Sequence, residues 1–237
     1  MERLDKILSS QGICSRKEAK ELAADKKITV NGITVRRSDI KLDPDNDIIE
    51  IAGNRLQYRK YVYIMMNKPE GVLSASNDRS AETVIDLLPD RYKRPGLFPA
   101  GRLDRDTTGL LIITDDGDFA HNMLSPKKHV AKLYKATLDS PVTKEDIAVL
   151  ESGITLRGGT SYRPAKVLEC EGNTVKIEIT EGKFHEVKNM FAYVGKTVQM
   201  LERLRIGGLV LDKNLGRGEC RYLNDFEISS VFHSDNN

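Results

Sequence analysis

A chain of 237 residues with 39% hydrophobic and 30% charged residues is long enough to bury a core without disulfide or metal staples, as one large domain or a medium domain with a small one. No apolar run approaches the length of a bilayer, and a net charge of +2 argues for no partner by itself. Cys14, Cys170 and Cys220 are odd in number, widely spaced and without a C-x-x-C pair, which excludes a disulfide framework and a zinc knuckle. With the charged opening Met1-Glu2-Arg3-Leu4-Asp5-Lys6 in place of a secretory apolar stretch, they predict a reduced, cytoplasmic protein without membrane contact.

The first sixty residues read as helix, helix and hairpin. Leu4, Ile7 and Leu8 have helical spacing. Ser15 and Glu18 form a capping box, and Ala19, Leu22 and Ala23 continue the apolar face of the helix it opens. Ile28 and Val30, then Asn31-Gly32, then Ile33 and Val35 spell a tight hairpin. Residues 1–41 hold ten Lys and Arg against six Asp and Glu, whereas residues 42–51 hold four acids and no base. Arg16 and Lys20 share a helix face, with Lys17 adjacent; this is a plausible reader of RNA phosphates, and equally a solvated surface. The segment over about residues 2–50 resembles the S4 RNA-binding domain through Arg3-Leu4-Asp5-Lys6, Cys14-Ser15-Arg16 and Val30-Asn31-Gly32. Residues 51–60 read as a polar linker, which places a domain over residues 1–58 and a second over residues 59–237.

In the second part, a strand over residues 61–66 ends at the turn Lys68-Pro69-Glu70-Gly71. Residues 83–88 read as a short helix stopped by Pro89. Residues 97–100 and 110–114 read as buried strands around a polar loop. Asp118 is the expected cap of a helix through Leu124. Residues 130–138 read as strand, Thr143 to Asp146 opens a capped helix, and Val175, Ile177 and Ile179 share one strand face. Residues 186–194 read as helix closed by Gly195, and residues 198–206 as strand. Strands outnumber helices without regular alternation, so the fold class is α+β: a small helix–helix–hairpin unit, then a mixed, largely antiparallel sheet with flanking helices.

The run Gly101-Arg102-Leu103-Asp104-Arg105-Asp106-Thr107-Thr108-Gly109-Leu110-Leu111 sets carboxylates and arginines on a loop between apolar strands, which suits an active site and equally a turn rich in Asp and Gly. A magnesium site on Asp104, Asp106, Asp115, Asp116 and Asp118 is disfavoured by the wrong loop spacing and by competing arginines. The run resembles the Gly-Arg-Leu-Asp motif of the RsuA-type pseudouridine synthase family. Lys132-Leu133-Tyr134-Lys135-Ala136, the segment from Glu181 to Phe191 and Arg203-Leu204-Arg205-Ile206-Gly207-Gly208 resemble its later motifs, in the family's order.

That resemblance implies isomerisation of uridine to pseudouridine in RNA, on a base flipped from its stack, with no metal and no organic cofactor. It implies Asp104 as the essential carboxylate, nucleophile or base. Tyr134 would stack on the flipped base. Lys188 would pair with Asp104 and favour its charged form. Leu201 would form an apolar wall, and Arg102 would contact phosphate or fill the space the base leaves. On residue type alone these are also a core aromatic, a solvated lysine, a core leucine and an ion pair of Arg102 with Asp106. Many relatives carry Gln, Arg and Arg where this chain has Glu186, Lys188 and Asn189, which leaves RNA contacts on that helix open. His185 lies in the motif, with a structural hydrogen bond as its expected role. The expected partner is ribosomal RNA of the small subunit (16S), naked or in an assembly intermediate, bound by a monomer. Large-subunit or transfer RNA, and a non-catalytic S4-type assembly factor, are the alternatives.

Overall fold

Leu4, Ile7 and Leu8 lie fully buried on one side of α1 (Leu4–Ser10) in the computed structural model, which describes residues 1–233. They belong to the first of two units, Met1–Val62 with Pro89–Leu97. Helix α2 (Arg16–Ala24) opens on the expected capping box, with the Glu18 N–H donating to Ser15 Oγ and the Ser15 N–H to Glu18 Oε2. Ala19 and Ala23 face the same core as α1, while Arg16, Lys17 and Lys20 are exposed. Strands β1 (Ile28–Val30) and β2 (Ile33–Thr34) meet at Asn31 and Gly32, with φ of 51° and 78°, the left-handed pair that an Asn-Gly hairpin turn requires.

Residues 51–60 are not simply a linker. After β3 (Ile49–Ile51), the chain turns through left-handed Ala52 and Gly53 into β4 (Asn54–Arg55), and Leu56 and Tyr58 pack against the core of the unit. The four strands pair in the order β2-β1-β3-β4. Ala at a left-handed position carries none of the usual turn signal, which is why this hairpin is invisible to pattern reading.

The second unit, Tyr63–Leu88 and everything described from Phe98 onward, is built on one large sheet. Its elements are β5 (Tyr63–Lys68), β6 (Phe98–Ala100), β7 (Thr107–Thr114), α3 (Gly117–Leu124), β8 (Lys132–Leu138), α4 (Lys144–Ser152), β9 (Lys166–Glu171), β10 (Thr174–Ile179), α5 (Glu186–Tyr193), β11 (Val198–Ile206), β12 (Cys220–Tyr222) and α6 (Asp225–Ser230). The strands run β9-β10-β8-β11-β7-β5-β12, with β6 added on β7. All these pairs are antiparallel except β7 with β11. The mixed, largely antiparallel sheet of the expected α+β class is thus present. Residues Leu110, Leu111, Ile112 and Ile113 are wholly buried, so β7 is covered on both faces and reads as a continuous apolar run.

Two expectations fail locally. Residues 83–88 form turns rather than a helix: Thr83 bridges to Leu73, and Asp86 Oδ2 accepts from both the backbone and the hydroxyl of Thr83. Thr83 and Asp86 exchange the hydrogen bonds of a capping box, but the turns that follow do not extend into a helix and end at Pro89. The cap of α3 is Asp116, which accepts from the Phe119 N–H, and not Asp118, which lies inside the first turn. Among the described residues no helix is long and apolar enough to cross a membrane.

The parallel seam matters most for the site. Register pairs Thr107 with Leu201 and Gly109 with Arg203. Gly109 has φ of +100°, and a Cβ there would stand 2.3 Å from the Arg203 carbonyl oxygen. Only glycine allows that approach, which brings the end of the loop over residues 101–106 beside β11.

Candidate active site

The loop between β6 and β7 carries Asp104, and its position is set from below by a lysine whose sequence context suggests only a turn. Lys68, the last residue of β5, is 0% exposed. Its Nζ donates to the carbonyl oxygens of Pro69, Asp104, Arg105 and Thr107 at 3.0, 3.2, 3.3 and 3.0 Å. Burial pulls this ammonium down to about 8, against the opposing pull of Asp106, Asp104 and Glu70. Ser74 adds a second tie, donating from Oγ to the Leu103 carbonyl and accepting from the Leu103 N–H.

Above the loop, α5 delivers Lys188. Its Nζ lies 3.0 Å from Asp104 Oδ2 and 2.6 Å from Asp106 Oδ1, so one ammonium bridges two carboxylates. The expected pairing of Lys188 with Asp104 is present, and Asp106 is bound to Lys188 rather than to Arg102. Burial lowers the Lys188 ammonium, but hydrogen bonds and charge from Asp106 and Asp104 outweigh it and its net shift is upward. Asp106 is held below the usual carboxylate range, chiefly by the Lys188 hydrogen bond.

His185, expected only as a structural hydrogen-bonding residue, reaches the carboxylate: its Nε2 is 3.4 Å from Asp104 Oδ1. Its φ of 52° is left-handed, and its ring stacks on Phe184 at 3.7 Å between centroids. A non-glycine residue held in this region beside the Asp104 carboxylate is a strained position, of the kind that clusters at functional sites. Glu186 faces inward, accepting from the Gly182 and Lys183 N–H groups at 2.7 and 2.8 Å, and burial pushes its carboxyl up. Asn189 donates to Tyr162 Oη and to the Phe184 carbonyl. The residues that differ from the usual motif therefore hold the segment before α5 together.

Asp104, Tyr134, Lys188, Leu201 and Arg102 all line one cavity of about 380 Å³, within the range of small-ligand sites. Tyr134 and Leu201 are buried in its wall, whereas Arg102 is exposed. Arg16, Lys17 and Lys20 are not part of it; they lie on α2 in the first unit. Sequence reasoning missed Lys68, Lys132, Thr107 and Arg203. Lys132 is buried, donates to the Val130 and Glu181 carbonyls, and is lowered to about 8 by burial and then by Arg203. Its place two residues before Tyr134 on β8, facing the same side, was the available signal. Among the described residues no cluster of three or more His, Cys, Asp or Glu is placed to hold a metal ion.

Comparison with known proteins converges on one family. Residues 62–193 match the family described as RNA pseudouridylate synthase, and residues 2–49 match the S4 domain. An uncharacterized RNA pseudouridine synthase, YtzG of Bacillus subtilis, is 44% identical over 95% of this chain and 96% of its own length. Ribosomal small subunit pseudouridine synthase A of Escherichia coli is 40% identical over 97% of this chain and 99% of its own. A crystal structure of a pseudouridylate synthase superposes with a TM-score of 0.68 at 35% identity, covering 98% of this chain and all of that one.

Two outcomes follow from this geometry. Lys68→Met removes one donor from each of the carbonyls of Pro69, Asp104, Arg105 and Thr107, of which those of Asp104 and Arg105 keep the Thr107 and Gly71 N–H groups. Denaturant unfolding should register a loss of about 2–4 kcal/mol, and native-state trypsin should cut faster after Arg102 and Arg105. Unchanged stability and cleavage would remove the staple. For the bridge, Asp106, lowered, contributes above its unfolded value and loses that contribution only as pH falls through the lower folded one. Lys188, raised, contributes below its unfolded value and loses it only as pH rises through the higher folded one. The stability difference between wild type and Lys188→Met should therefore be flat from about pH 5 to about pH 9. A slope inside that window in urea titrations at stepped pH would contradict the bridge.

Proposed function

This chain belongs to the RNA pseudouridylate synthase family, and we propose that within it the protein converts one uridine of 16S ribosomal RNA, naked or partly assembled, with Asp104 as the reacting carboxylate. The small-subunit assignment is supported by the near full-length similarity to ribosomal small subunit pseudouridine synthase A. The observation that carries the assignment of Asp104 is its place in one cavity with Tyr134 and Leu201, ion-paired to Lys188 at 3.0 Å.

The chemistry asked of the site is an isomerisation. The N1–C1′ bond breaks, the base turns, and C5 joins C1′. One proton leaves C5 and one arrives at N1, so the balance closes without redox partner or cofactor. A stacked uridine is out of reach of a cavity wall, and the base must swing out of its helix into the cavity. Tyr134 then supplies an aromatic face, Leu201 an apolar wall, and Arg102 at the exposed rim a cation for the backbone phosphates or a filler for the vacated stack. Asp104 keeps one oxygen toward Lys188 and the other toward His185, leaving lone pairs on both for attack on carbon or removal of a proton.

In this reading an S4 unit over residues 1–58 precedes a catalytic domain over residues 59–237, although residues up to Val62 and Pro89–Leu97 pack with the first unit. The exposed cations Arg16, Lys17 and Lys20 of α2 give that unit its electrostatic grip. The protein acts as a monomer in the cytoplasm.

Asp104→Asn should reduce tritium release from C5-labelled uridine in a 16S transcript by a factor on the order of 10³ or more, while RNA affinity stays within about twofold. Retained turnover in that variant ends the assignment. Replacing Arg16, Lys17 and Lys20 together by Gln should lower the slope of log K against log salt by about one unit for each phosphate no longer neutralised. An unchanged slope in filter-binding titrations would take α2 out of the RNA interface.

A further inference from the structure

The cavity wall retains two buried polar atoms without a hydrogen-bond partner among the described residues. Arg203 is 3% exposed; its Nε donates to the Leu110 carbonyl at 2.8 Å and its Nη1 lies 3.5 Å from Tyr134 Oη. Its Nη2 is buried without an acceptor among the described residues. Thr107, 2% exposed, has an Oγ1 buried likewise without a partner among the described residues. Both residues line the cavity of Asp104. They stand on the parallel pair β7 and β11, Thr107 opposite Leu201 and Arg203 opposite Gly109. Leaving a charged donor buried and unpaired is costly, and such groups are rare away from a ligand site.

Resting on the uridine-isomerase reading above, we propose that Arg203 and Thr107 read the imide edge of the flipped uracil, with Arg203 Nη2 donating to a ring carbonyl oxygen and Thr107 Oγ1 accepting the N3–H. Uracil presents along that edge an acceptor, a donor and an acceptor: O2, N3–H and O4. A half-turn about the axis through N3 and C6 exchanges N1 with C5 and O2 with O4, and leaves the pattern of the edge unchanged. The same two protein atoms therefore hold the base before and after it turns: N3–H, on the axis, can stay with Thr107 throughout, while Arg203 exchanges one carbonyl oxygen for the other. When the N1–C1′ bond breaks, its electron pair stays on N1 and spreads onto O2 and O4. A fixed guanidinium N–H at either oxygen stabilises that charge without reorganisation. Cytosine, with an amino group at C4, sets donor against donor in one of the two orientations.

The test is a single-turnover comparison of 16S transcripts made with uridine, 2-thiouridine or 4-thiouridine, with the isomerised nucleoside counted by liquid chromatography and mass spectrometry. Sulfur is a poor acceptor, so the wild type should slow about tenfold on both thio transcripts, because one donor meets each carbonyl in turn. In Arg203→Lys, which keeps the charge and loses the fork, the thio penalty should shrink to about twofold or less, the two changes failing to multiply. Thr107→Val should slow conversion of uridine several-fold with an unchanged melting temperature. Wild-type rates alike on all three transcripts, or penalties that simply multiply in Arg203→Lys, overturn the proposal. Should Arg203→Lys unfold, the wild-type comparison and Thr107→Val still decide it. A wild type that converts no uridine in 16S or 23S transcripts takes down the parent reading as well; conversion indifferent to sulfur takes down only this one.

Discussion

An ammonium group sealed from solvent fixes the loop that carries Asp104. Lys68 sits under the chain between Asp104 and Thr107 with four carbonyl oxygens around its Nζ. An unpaired charge in that place would be prohibitive, and removing it would take a donor from four carbonyls, of which those of Asp104 and Arg105 keep a backbone N–H. Each therefore requires the other. The loop has little freedom to choose another path, and the carboxylate above it inherits that rigidity. Positioning of this kind costs nothing at the moment of reaction, because the ordering is completed on folding.

Charge on the opposite side of the cavity is arranged by the same logic. Lys188 bridges two carboxylates at the loop, Lys132 directs its donors to backbone carbonyls, and Glu186 accepts from two backbone N–H groups just before α5. The charged groups near Asp104 are thus mostly consumed by structure. Few remain to compete with a bound base, and those few, Arg203 and the exposed Arg102, point to separate tasks: one inside the wall, the other at the rim.

Much of this is legible from local pattern. The capping boxes at Ser15 and Thr143, the Asn31-Gly32 turn, the apolar run of β7 and the loop carrying Asp104 all appear where their residues predict, because each is decided by neighbours a few positions away. What escapes depends on distant partners. Lys68 reads as a turn residue until the loop closes over it. Arg203 reads as one of several arginines in a strand until Gly109 admits its backbone. Residues 83–88 look helical, and even carry a capping box, yet Thr83 is tied to distant Leu73 and the turns stop at Pro89. The hairpin after Ile51 is masked by an alanine in a conformation that alanine seldom adopts. His185 stands out in its motif, yet nothing local tells that its ring will come to rest against a carboxylate.

The parallel seam between β7 and β11 joins segments more than ninety residues apart, and Thr107, Leu201 and Arg203 of the cavity wall lie along it. The first unit, by contrast, draws on no residue beyond Leu97, and its strand pairings span at most the distance from Glu2 to Leu42. Synthesis proceeds from the amino end, and loop-closure entropy delays distant pairings. A ribosome making this protein therefore releases a folded α2 face well before strand 198–206 has even been translated. Until that strand docks the nascent chain has no enclosed chamber, so its competence for chemistry switches on late and all at once.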